Sequence, residues 1–327
     1  MIDSMNNLKT LSKSLIQNPG SIPYILLMFS TSTLLGFLMA GFPGSLVVTS
    51  FFVLASVSSD RLPLKFLIHF RGAREIGPHE APTIYEIMGS LLLHAKLSST
   101  PRLFWIPSAS PNAFAMEVGD QKIIILSHGL LQALTAREIR GVLAHEIAHL
   151  KNEDPALMKL AHFSTFMTNI LSSVGQLGAL LTLPFVILGL IHINFFLVLA
   201  LILAPWLNLM LQAGLSRHRE READRVGASL SKDPLGLAMA LEKIHRWSYP
   251  WLLGILNRRF QSRPSNIFNT HPGIYERIAY LRAQARLIKE PILSPYWEHP
   301  FREKQYLLQP SIHPLLFRWI NSVIEVR

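Results

Sequence analysis

The chain has 327 residues, half of them hydrophobic and only 16% charged, with no cysteine and a formal net charge of +10. Soluble domains carry about a quarter charged residues, and a mean hydropathy of +0.30 is high for a protein that must stay in water. Such a composition excludes a disordered chain, a disulfide-stapled secreted module and a simple cytosolic enzyme, leaving a polytopic membrane protein with a substantial aqueous part.

Residues 1–21 are read as a short cytoplasmic N-terminus. From Ser14 to Ser59 no Lys, Arg, Asp or Glu occurs. A hydrocarbon core of about 30 Å needs roughly 20 apolar residues in a helix. This block holds two such lengths, Ile22 to Ala40 and Phe42 to Val57, separated by the breaker Gly41-Phe42-Pro43-Gly44. They predict a transmembrane hairpin over 22–59. It reads as an anchor, because no small-residue cleavage site follows the first span and a second span arrives at once.

Residues 60–159 are well charged and carry mixed signals. Pro78 to Leu97 reads as a helix with apolar Ile84, Ile87, Met88, Leu91 and Leu92. Three β-like runs follow, Arg102 to Ile106, Asn112 to Met116 and Gln121 to Leu126, punctuated by Pro107, Pro111 and Gly119-Asp120. Ser127 to Leu134 is helix-forming. Thr135 with Glu138 makes a capping box that starts a helix from Ala136 to about Lys151.

A second uncharged block, Leu160 to Ser216, predicts another hairpin over 160–215, with spans at about Leu171 to Ile191 and Ile193 to Leu211. Pro184 and Pro205 fall inside these spans, where neighbouring helices can re-satisfy the freed backbone groups. Residues 216–290 return to charged sequence, and 291–327 form an extension whose role is not legible. The turns of both hairpins carry no charge, whereas Lys and Arg flank every span on the other side. The positive-inside rule therefore puts all three charged segments, and both termini, in the cytoplasm. Most of the basic excess lies beyond Arg217. No aromatic-basic platform or groove-binding motif accompanies it, so a face against anionic lipid headgroups is the plainer reading than nucleic acid.

The helix that starts at Ala136 contains His145-Glu146-Ile147-Ala148-His149. Four residues advance a helix by about 400°, so both imidazoles sit on one face. Both can reach one metal, and the donor type suits Zn²⁺. Glu146 is turned away from that position. It is placed to take a proton from the attacking water and pass it to a leaving amine. Burying two histidines and a glutamate on an apolar helix without partners would be costly, which favours a metal over chance matching. Beyond the second hairpin, Glu220 and Asp224 share a helix face while Glu222 points elsewhere. A solvated helix with Arg-Glu pairs is the bland account of this stretch; its coincidence with the upstream histidines favours a ligand and an acid that holds a ligand imidazole.

Together these motifs resemble the HtpX-like membrane zinc metallopeptidases, relatives of the CAAX prenyl endopeptidases. The shared residues are Pro111-Asn112-Ala113-Phe114-Ala115, the His145 to His149 motif with Leu150 to Asp154, Ser216 to Asp224, and Thr270-His271-Pro272 ahead of Glu276-Arg277-Ile278. The resemblance implies one Zn²⁺ per chain, with Glu220 as third ligand beside His145 and His149, and Asp224 as partner of a ligand. It implies substrate binding by Asn112, Ala113 and Phe114 on an edge strand, and oxyanion stabilisation by His271. The expected fold is a mainly α membrane protein, with two transmembrane helical hairpins and a cytoplasmic α+β zincin-type peptidase domain holding a small sheet. The expected function is zinc-dependent endopeptidase action near the cytoplasmic face of a cell inner membrane, on misfolded membrane proteins in quality control. The alternatives are a CAAX-type prenyl-protein endopeptidase and a non-catalytic adaptor stabilised by a metal.

Overall fold

The computed structural model describes residues 12, 15–16, 19–57, 72–97, 99–118, 121–152, 154–254 and 273–287. After a 3-10 turn at Pro19–Ser21, the elements in chain order are α1 (Ile22–Val57), β1 (Arg74–Glu75), α2 (Pro82–Ala95), β2 (Arg102–Ile106), β3 (Ala113–Val118) and β4 (Gln121–Ser127). They continue with α3 (His128–Ala133), α4 (Ala136–Asn152), α5 (Asp154–Ile187), α6 (Phe195–Ser231), α7 (Pro234–Gly254) and α8 (Ile274–Leu287). Two compact units divide the chain, 1–61 with 149–223 and 62–148 with 224–327. Two of the three divisions, at 148/149 and 223/224, fall inside α4 and α6.

In the first unit, α1, α5 and α6 are long and apolar enough to cross a membrane. α1 does so as a hairpin. Ala40 and Gly41 leave the helical conformation, Gly41 at φ +64°. The rings of Phe29 and Phe52 then pack 4.8 Å apart, where a straight helix would hold them about 35 Å apart. The returning arm presses so closely that a Cβ on Gly44 would sit 2.1 Å from the Gly36 carbonyl oxygen. The expected breaker is the observed turn.

The second pair of spans is longer than expected. α5 begins at Asp154 rather than near Leu171, and α6 runs on to Ser231 rather than stopping near Leu211. No breaker interrupts either stretch except the in-helix prolines. The Ala-, Arg- and Glu-rich sequence after Ser216 is strongly helix-forming, so the helix persists where the apolar residues stop. Pro205 has no N–H to offer the Leu201 carbonyl one turn back. The side chain of Gln176 on α5 donates to that oxygen instead, at 2.9 Å. A buried polar knot ties the helices further along. The Ser32 hydroxyl lies 2.9 Å from that of Ser164 and 2.8 Å from that of Thr168, and Asn208 donates to Thr168.

The second unit carries a four-stranded sheet in the order β1-β2-β4-β3, with β2 and β4 parallel and the other pairs antiparallel. Leu103, Ile123, Ile124 and Leu126 are wholly buried, so the central strands are apolar on both faces. β3 and β4 run slightly later than expected; Gly119-Asp120 between them lies outside the described residues. α2 starts later than Pro78 because Glu80 turns back to accept from the Gly77 N–H at 2.9 Å and from Arg74. It ends where Lys96 adopts a left-handed conformation. Ser127 caps α3 by accepting from Leu130 N–H at 3.1 Å. The capping box of α4 is formed, the Thr135 N–H donating to Glu138 at 2.7 Å. Lys243 of α7 donates to the same carboxylate, and Arg137 makes a two-pronged pair with Asp233 just ahead of α7. α8 packs along α7.

Candidate metal centre

α4 presents His145, Glu146 and His149 from a helix whose Ile139, Val142, Leu143 and Ile147 are fully buried. His145 and Glu146 are themselves 1% and 3% exposed. Polar groups held so deep need partners. For His145 the partner is Asp224: His145 Nδ1 and Asp224 Oδ1 are 3.0 Å apart. That contact orients the ring and leaves Nε2 as the nitrogen available to a metal. Asp224 is held in turn by Arg277 of α8, whose Nε and Nη2 donate to its two oxygens at 2.7 and 2.8 Å. Planar two-pronged pairing of this kind fixes the carboxylate as well as neutralising it.

One turn further along α4 and one turn back along α6 stands the other pair. His149 Nε2 and Glu220 Oε1 are 3.8 Å apart. That is too long for a hydrogen bond and close to the ligand–ligand edge of roughly 3.4 Å expected for a zinc tetrahedron with bonds of about 2.1 Å. Along these two continuous helices, ligand-type atoms of His145, His149 and Glu220 lie within 4.8 Å of one another. Two imidazoles and one carboxylate are the donor set that Zn²⁺ prefers in catalytic sites, where three protein ligands leave a position open. The residues present therefore fit the ion. Glu222 is outside the group.

Two contributors have no role that the sequence motifs assign. Arg277 is the first. Its signal is the inward stripe of α8, where Ile274, Arg277, Ile278 and Leu281 are all buried, and an arginine among such neighbours requires a buried acid. Gly227 is the second. A Cβ there would stand 3.1 Å from the His145 backbone nitrogen and Cα, so a larger residue would press α6 away from α4 at the level of His145. No local pattern marks that requirement.

The substrate-binding expectation acquires detail. Among the described residues β3 is an edge strand, beginning at Ala113. Asn112 lies just ahead of it and is buried. Its N–H donates to the Ser127 hydroxyl at 2.8 Å and its carbonyl accepts from the Ser127 N–H at 2.9 Å. Its backbone is thus turned to β4. Backbone direction alternates along a strand, so Ala113, Ala115 and Glu117 turn their N–H and C=O to the open edge. His271, with Thr270 and Pro272, lies outside the described residues.

The model of the family described as Peptidase family M48 matches residues 78–285. Among curated proteins, the Protease HtpX homolog of Desulforapulum autotrophicum is 33% identical over 273 residues, covering 78% of this chain and 86% of its own. That of Syntrophobacter fumaroxidans is 34% identical over 269 residues, covering 76% and 93%. That of Ralstonia pickettii is 32% identical over 251 residues, covering 69% and 82%. The family match takes in strands β2 to β4, the histidine-bearing helix, the carboxylate-bearing helix and Arg277. The chain belongs to peptidase family M48, whose members are zinc-dependent metallopeptidases, as an HtpX-like membrane endopeptidase.

Proposed function

We propose that this protein cleaves polypeptides at the cytoplasmic face of a bacterial inner membrane, with misfolded membrane proteins as substrates and one Zn²⁺ per chain. The observation that carries the reading is the pairing of α4 with α6, His145 to Asp224 and His149 to Glu220. His145, His149 and Glu220 would hold the ion, and Asp224 keeps the His145 ring turned so that Nε2 faces it. When bound, zinc supplies acidification of water and polarisation of the scissile carbonyl. Glu146, buried beside these ligands, takes the proton from the attacking water and returns it to the departing amine. Ala113 and Ala115 pair with the backbone of an extended peptide, which holds a substrate without fixing its side chains. Asn112, buried just ahead of that strand, and the partly buried ring of Phe114 complete the substrate-binding stretch that the family resemblance implies. His271 takes the oxyanion role that the family resemblance implies.

The domain layout read from the sequence supports the cytoplasmic orientation through the Lys and Arg flanks of each span. Substrates embedded in or emerging from the same bilayer suit a peptidase whose ligand-bearing helix α6 is also its membrane helix. The decisive experiment uses full-length protein in lipid vesicles. Glu146→Gln should retain one zinc per chain by metal analysis while cleavage of an unfolded membrane protein falls by about 10²–10⁴-fold. Full activity in that variant refutes the assignment. Cleavage of a prenylated CAAX peptide in preference to the unfolded protein refutes the substrate class.

A further inference from the structure

Outside the metal centre, the second unit leaves few large apolar side chains in water. Among its described residues these are Leu93 at 82% exposed, Trp247 at 51%, Tyr275 at 69%, Tyr280 at 36% and Leu287 at 76%. All but Leu93 belong to α7 and α8. The two helices are joined along this side: the His245 and Tyr275 rings meet edge-on at 5.1 Å, and Arg282 reaches across to Glu242 at 2.6 Å. Charge is gathered on the same pair. Glu242 also receives Arg246 at 2.8 Å, so two exposed guanidiniums share one carboxylate and one positive charge is left over. Arg286 in the last turn of α8 adds a second positive charge and Glu276 in its first turn a negative one, so the pair keeps a net positive charge that is densest toward the end of α8.

Exposed Trp and Tyr, with an apolar body and a polar tip, are the side chains that settle at a membrane–water interface. Surplus arginines beside them are drawn to anionic headgroups, each worth about 1 kcal/mol near the surface. An acidic protein would match the charge but not the combination of tryptophan, two tyrosines and a leucine left bare. The bilayer and this face also belong to one continuous run of chain: α6 carries its apolar stretch to about Leu215, continues as a charged helix to Ser231, and α7 begins after two intervening residues. We propose that the α7–α8 face of this protein is a lipid-binding surface that rests on anionic headgroups of the bilayer its own helices occupy. The surface is independent of the peptidase chemistry, and stands or falls separately from it.

The absence of cysteine makes the test clean. Single variants Tyr275→Cys, Leu93→Cys and Leu177→Cys of the full-length protein are labelled with an environment-sensitive fluorophore. They are reconstituted in phosphatidylcholine vesicles with or without phosphatidylglycerol, each doped with headgroup- or acyl-nitroxide lipids. The label at 177, on an exposed apolar position of α5, reports lipid throughout. The label at 275 should be quenched several-fold more than that at 93 when phosphatidylglycerol is present. The difference should shrink at high salt, as screening predicts, and with Arg246→Glu plus Arg282→Glu. The salt titration stands alone should that double variant not fold. Quenching at 275 no greater than at 93 overturns the proposal. So does equal quenching without anionic lipid, or a label at 275 shielded from both lipid and aqueous quenchers, which would mean that protein covers the face.

Discussion

Asp224 is where sequence and chemistry meet at the residue scale. It is fully buried, touches His145, and is gripped by both arms of Arg277. Its work is to hold an imidazole, so its removal should act on metal binding before it acts on fold. Asp224→Ala is expected to lower zinc affinity by about 10–100-fold, the usual effect of losing a partner of a ligand, as measured by competition with a chromogenic chelator. Arg277→Met should shift the same affinity in the same direction, because the carboxylate would then be free to rotate away from His145. Unchanged affinity in both variants would mean that the triad is structural only. The histidine pair was legible from a spacing of four on one helix. Arg277 was not, because its partner stands 53 positions away in the chain.

At the scale of elements, two consequences follow from where backbone groups point. Ala115 turns its N–H away from β4, so Ala115→Pro removes a donor only from the open edge. Proline is tolerated there. The expected outcome is a KM about 10-fold higher for an extended peptide, with zinc content and thermal stability retained. Phe114→Pro, which breaks a rung to Ile125, should instead lower stability. An unaltered KM in Ala115→Pro would remove the edge from the binding account. The second consequence concerns α5 and α6. Gln176 supplies the donor that Pro205 lacks, so Gln176→Leu leaves the Leu201 carbonyl unpaired in an apolar setting. A loss of about 1 kcal/mol is expected, read as a shift in unfolding of the protein in mixed micelles; a stability gain would contradict it. Helix extents were the least legible feature. Hydropathy marks where lipid suits a helix, whereas its ends are set by capping and breakers, and charged Arg- and Glu-rich sequence lets α6 continue to Ser231.

For the molecule as a whole, the metal is expected to act as a clasp between residues 145–149 and residue 220. An ion bound only by the folded chain stabilises it by mass action, about 2.7 kcal/mol at a hundred times its dissociation constant. Chelation should therefore lower the melting temperature and zinc should restore it, in the wild type and in Glu146→Gln alike. Glu220→Ala should blunt that response; a full response there would displace Glu220 as a ligand. Sequence by itself determined the four apolar stretches, the turn at Gly41, the capping box and the two histidines on one face. All of these are local properties, written in composition or in spacings of three and four. Only the tertiary structure decided that Asp224 meets His145 while Glu220 meets His149, that Arg277 closes on Asp224, that Gly227 admits the approach, and that β3 is left at an edge. These depend on which distant segments come together when apolar surface is buried, and no window of neighbouring residues carries that information.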